Sequence, residues 1–108
     1  MVAFQNLVIT KLIGTRIKKA DPTAEVILFG SRARGHAKDD SDWDILILID
    51  NPKKDRSIEQ IYRDQLFELE LELGESISTL IYSKNDWESR HLYSSLYLNI
   101  KEEGVRIA

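Results

Sequence analysis

Two short groups of residues in this chain could do chemistry, and they lie close together. Gly30-Ser31 is followed, after ten residues rich in Arg, Gly, Lys and Asp, by Asp42-Trp43-Asp44. Gly30 ends the apolar run Val26, Ile27, Leu28, Phe29. Without a Cβ the chain can turn sharply there, and the backbone N–H and the Ser31 hydroxyl can come close to an anionic oxygen. That is phosphate chemistry. Asp42 and Asp44 alternate with Trp43 and Ile45, so on a strand the two carboxylates share one face with Cα atoms about 6.5 Å apart. Side by side they repel unless a cation lies between them. Mg²⁺ suits such a pair, because it takes one or two carboxylates and completes its shell with water and phosphate oxygens. Together the two groups describe a site for a metal–nucleoside triphosphate complex.

The elements that must position them can be read from the apolar pattern. Phe4, Leu7, Val8, Leu12, Ile13 and Ile17 recur at helical spacing over 3–20, although Gly14 is a mild cost inside that helix. A strand over Glu25–Phe29 leads into the Gly30-Ser31 turn and a short helix over Ser31–Arg34. A second strand, Asp42–Ile49, is apolar almost throughout and predicts burial on both faces. Ser57 and Gln60 fit a capping box for a helix that runs to Leu73 and stops at Gly74. A third strand covers Ser76–Tyr82. Ser83 and Asp86 signal a further helix start, which Trp87 would pack onto the sheet, and a last helix is expected over 91–103. Val105-Arg106-Ile107 could add an edge strand. The order predicts a layered α/β (α+β) domain with a small sheet flanked by helices.

Gly30-Ser31, ten residues, then Asp42-x-Asp44 and an apolar run resembles the signature of the DNA polymerase beta-like nucleotidyltransferase superfamily. The longer strings GSRARG and SDWDILI resemble its minimal nucleotidyltransferase family, and the likeness extends from about Val26 to Arg106. The resemblance implies a nucleotidyltransferase fold, Mg²⁺ on Asp42 and Asp44 as the catalytic acids, and ATP or another nucleoside triphosphate as substrate. It also implies a nucleotide-binding role for Gly30 and Ser31. Arg32 and Arg34 join them electrostatically, because guanidinium groups can clamp phosphate oxygens. The superfamily further implies a third carboxylate on strand three. Here that strand reads Ser76-Ile77-Ser78-Thr79-Leu80-Ile81, with Ser78 at the matching position and Glu75, one residue ahead of the strand, facing the other way.

Small proteins of this kind resemble the antitoxin halves of modules whose partner is a helical HEPN-type ribonuclease, to which AMP is added on a tyrosine. That implies transfer of a nucleoside monophosphate, with AMP the expected group, to a hydroxyl of a protein partner. The rival expectation is a binding module that neutralises its partner by contact alone. A homo-oligomer is the remaining way to supply a substrate surface.

Composition bounds these readings. The 108 residues suit one domain, with 43% hydrophobic and 31% charged residues and no cysteine, which excludes disulfides and thiolate metal sites. Neither a secretory leader nor a run of membrane-spanning length is present in the sequence, and a cytoplasmic location is expected. Net charge is −3, yet Arg32, Arg34, His36 and Lys38 gather beside the expected phosphate site, while Glu68, Glu70, Glu72 and Glu75 hold much of the acid. A general nucleic-acid binder more often carries a basic surplus over a whole face. His36 and His91 read as exposed, and Tyr93, Leu96 and Tyr97 as core or partner surface.

Overall fold

A computed structural model describes residues 4–35, 38, 40–51, 55–90 and 94–108, with the side chains of 4–6 and 90 outside that description. The chain runs α1 (Phe4–Ala20), β1 (Glu25–Phe29), α2 (Gly30–Arg34), β2 (Trp43–Ile49), α3 (Arg56–Leu73), β3 (Ile77–Ser83), α4 (Lys84–Arg90), α5 (Ser95–Glu103) and β4 (Val105–Arg106). The strands form one mixed sheet in the order β3-β2-β1-β4. β1 pairs antiparallel with both β2 and β4, and β2 pairs parallel with β3. The expected fold class is therefore the observed one, a small mixed sheet flanked by helices.

β2 is the axis of the core because both of its faces are covered. Trp43, Ile45, Ile47 and Ile49 are all fully buried and pack with Ile13 and Ile17 of α1 and Tyr62, Leu66 and Leu69 of α3. Leu46 and Leu48 point the other way, into a second cluster with Trp87 of α4 and Tyr97 and Ile100 of α5. The near-continuous apolar run of β2 is thus the mark of a strand between two layers. Tyr97 is core, and Trp87 stacks between Tyr82 and Tyr97 with ring centroids 5.4 and 5.2 Å away. The expected last helix starts at Ser95 with Ser94 as its cap, while His91 and Tyr93 lie outside the described residues.

Local signals fix the ends of the elements. The Ser83 hydroxyl accepts from the Asp86 N–H, as the sequence predicted. The start of α3 differs: its cap is Asp55, whose carboxylate accepts from the Ile58 N–H at 2.9 Å, not Ser57. Gln60 donates instead to Asp64, one turn along the helix. An acidic cap two residues earlier satisfies the same orphan amides and adds a favourable charge at the helix start. Gly14 also has a reason beyond the helix. A Cβ there would lie 3.0 Å from the Ala108 Cβ and 3.2 Å from the Ile107 carbonyl oxygen, so glycine lets the segment after β4 cross α1 closely.

β3 is an outer strand, and side chains of α3 answer its outward backbone groups. Glu70 accepts from the Ile77 N–H at 2.6 Å, and Arg63 donates to the Thr79 carbonyl at 3.1 Å.

Candidate active site

The turn after β1 and the start of β2 meet because their strands are antiparallel neighbours with Phe29 opposite Asp44. Gly30 follows at φ +76°, a left-handed conformation that disfavours side chains. The space its Cβ would need is taken by the Asp44 carboxylate, whose Cγ would lie only 3.0 Å away. Glycine is required there twice, by its backbone angle and by the approach of Asp44. Gly30, Ser31, Asp42 and Asp44 are therefore brought to one end of the sheet.

Asp44 is half-buried and Asp42 exposed. Burial lifts the Asp44 carboxyl above its ordinary range, the neighbouring Asp42 charge lifts it further, and Arg34 partly offsets both. A carboxylate whose charge is disfavoured by burial and by a second acid beside it is an arrangement that a divalent cation relieves. Among the described residues no group of three or more His, Cys, Asp or Glu is placed to hold a metal. Asp42 and Asp44 offer two hard oxygen donors, a set that suits Mg²⁺ when water and phosphate take the remaining positions.

In the parallel ladder Ser78 stands opposite Asp44. Its hydroxyl donates to Asp42 at a long 3.4 Å. The position where the superfamily resemblance implied a third acid therefore does adjoin the Asp pair, and it carries an exposed hydroxyl. Arg34 is exposed and paired with Glu103 of α5 at 3.1 Å, close enough to Asp44 to influence its ionisation. Lys38 is exposed, and His36 lies outside the described residues.

Arg32 is placed differently. It is only 8% exposed, and its guanidinium lies over the Trp43 ring at 4.2 Å from the centroid. Its Nε and Nη2 donate to the Ser41 carbonyl at 3.3 and 2.9 Å, and Nη2 stands 3.9 Å from Glu75. Glu75 also accepts from the Trp43 indole N–H at 3.3 Å. The structure does not bring Arg32 to the Asp pair but buries it behind. From sequence alone Trp43 has no role at the site, and Glu75 is set aside as facing the other way. The available signal was the indole N–H between two acids, since a buried Trp usually needs a hydrogen-bond partner.

Two grooves among the described residues lie away from the Asp pair. One of about 460 Å³ runs between α3 and β3, and one of about 560 Å³ between α1 and α3. Both sit on the sheet face opposite Asp44.

The family described as nucleotidyltransferase domain matches residues 11–107, and the chain belongs to that family. A solved structure described as the crystal structure of a toxin-antitoxin with AMP-PNP shares the fold, with a TM-score of 0.64 and 19% identity over 92% of this chain and 72% of that one. None of the curated proteins compared with the chain matches it. Among the described residues, no helix is long and apolar enough to cross a membrane.

Proposed function

We propose that this protein transfers a nucleoside monophosphate, AMP in the first instance, from a Mg²⁺-bound triphosphate to a hydroxyl on a protein partner, and acts as an antitoxin. The observation that carries the reading is the contact between Gly30 and Asp44, which joins the phosphate-binding turn to the carboxylate pair. In this reading the Gly30-Ser31 turn holds the β- and γ-phosphates, Arg34 adds positive charge beside them, and Asp42 and Asp44 would hold Mg²⁺. The ion, when bound, supplies charge neutralisation for the triphosphate and for the oxyanion that develops on transfer. The acceptor oxygen forms a bond to the α-phosphorus, the bond from that phosphorus to the bridging oxygen breaks, pyrophosphate leaves, and the acceptor proton passes to solvent. With Ser78 in the third position, one ion is expected to bind more firmly than a second.

The partner reading is supported by the fold shared with a toxin-antitoxin structure solved with AMP-PNP. A helical HEPN-type ribonuclease is the partner that the family resemblance favours, in the cytoplasm. A second reading has its own observation. The hydroxyl of Ser78 opposite Asp44 favours a module that retains the fold and neutralises its partner by contact. Transfer of label from α-labelled ATP with Mg²⁺ to a co-purified partner separates the two. Covalent label with wild type and none with Asp42→Ala/Asp44→Ala is the result expected of the enzyme. A preparation that binds its partner and transfers nothing would establish the contact inhibitor.

A further inference from the structure

We infer that Arg32, Trp43 and Glu75 form a buried clasp that positions the Asp42/Asp44 pair, and that Arg32 acts through this clasp and not on phosphate. The inference rests on the metal–nucleotide site proposed above. Its strength lies in what the three residues connect. Arg32 belongs to α2, directly after Gly30-Ser31; Trp43 lies between the two acids; Glu75 precedes β3, three residues before Ser78. These are the three segments that build the site, and one set of contacts ties them together.

Each contact constrains the backbone that aims a carboxylate. The two Arg32 donors fix the Ser41 carbonyl, adjacent to Asp42. The guanidinium over the Trp43 ring and the Glu75 carboxylate on its indole N–H hold the ring from two sides. The Trp43 N–H donates to the Ser76 carbonyl at 2.8 Å, so the residue is fastened by main chain as well. An arginine can do all this because its planar fork offers several donors and a face that stacks on an indole; lysine has a single point charge. Ligand positions held by a second layer of packed, hydrogen-bonded groups are more exact than those left to a loop.

The test separates a clasp from a phosphate clamp. Wild type, Arg32→Lys, Glu75→Gln and Asp44→Asn are titrated with Mn²⁺ alone and then with Mn²⁺ and a nonhydrolysable ATP analogue, and the melting temperature of each is recorded. The clasp predicts that Arg32→Lys and Glu75→Gln remain folded at the titration temperature and bind Mn²⁺ alone about tenfold more weakly. A phosphate clamp would leave Mn²⁺ alone unaffected in Arg32→Lys and weaken only the nucleotide complex. That result, or wild-type Mn²⁺ affinity in Glu75→Gln, overturns the inference while Asp44→Asn still shows the site to be real. Wild-type Mn²⁺ binding by Asp44→Asn would instead remove the site assignment itself. Should Arg32→Lys fail to fold, Trp43→Phe decides, because it removes the indole N–H that Glu75 accepts and leaves every charge near the metal in place; wild-type Mn²⁺ affinity in that variant overturns the inference.

Discussion

The Asp44 carboxylate rests where a side chain on Gly30 would have to be. This one relationship makes the sharp turn after β1 and the acid on β2 parts of the same object. A Gly30→Ala substitution must leave the left-handed backbone or displace the carboxylate. We expect it to cost about 1–2 kcal/mol from the backbone alone and to weaken Mn²⁺ binding at least as much as loss of Asp44 does. Denaturant melts and Mn²⁺ titration check the two halves; an alanine variant that binds Mn²⁺ normally would show that the contact is incidental.

Asp44 should work against the metal-free fold at neutral pH. Burial and Asp42 raise its folded-state pKa above the ordinary 3.8, so the folded protein holds the proton more tightly than the unfolded chain. The stability this confers is complete below the ordinary value and is lost as pH rises through the raised one. Metal-free Asp44→Asn is therefore expected to melt no lower than wild type at pH 7, and relatively lower as pH falls through the carboxylate range. Added Mg²⁺ should raise the melting temperature of wild type and leave that of Asp44→Asn where it was. Metal affinity should weaken with acid at a higher pH than an ordinary aspartate would dictate.

Ser78→Asp would place a third carboxylate opposite Asp44 and beside Asp42. Without metal it adds a third like charge, and the melting temperature should fall. With Mg²⁺ it should bind the ion more tightly than wild type. Nucleotide transfer that rises tenfold or more would identify the wild type as an impaired enzyme, whereas unchanged transfer would show that two carboxylates suffice.

Tyr62→Phe tests the far end of the sheet. The Tyr62 hydroxyl, on a buried residue of α3, donates to Asp21 at 2.6 Å, and Asp21 also accepts from the Thr23 N–H and hydroxyl. Burial pushes the Asp21 carboxyl up, but these hydrogen bonds and the Lys84 charge outweigh it and hold it below the ordinary value. Such a group stabilises the fold above its unfolded pKa and loses that contribution as pH falls through the folded one. Removing the hydroxyl should cost about 1 kcal/mol near neutrality, less in acid, and leave Mn²⁺ affinity unchanged. A denaturation series across pH gives the answer.

The sequence made most of the frame legible, and the reasons are physical. β2 announced its two-sided burial through Ile45–Ile49, and Gly30 of the expected turn lies against Asp44 of the expected acid pair. What escaped depends on partners distant along the chain. Arg32 in a glycine-rich loop looks solvated or phosphate-seeking until the Ser41 carbonyl and Trp43 ring fold back over it. Gly14 looks like a weak point in a helix until Ile107 and Ala108 are laid across it. The α3 cap lies two residues ahead of the Ser57-Gln60 capping pattern because a better acceptor, Asp55, pre-empts it.

The outer rim of β3 has a consequence for how this protein keeps company. Unpaired strand edges invite neighbouring chains to add themselves in register, the route to swapping and fibres. Glu70 and Arg63 occupy the hydrogen-bonding sites of Ile77 and Thr79 from within the same molecule, so a would-be strand finds those places already taken. A companion that docks along this border has first to evict two charged side chains. The sheet's margin thus discriminates by admission cost, turning away casual β-contacts and leaving lasting association to surfaces that offer more than backbone.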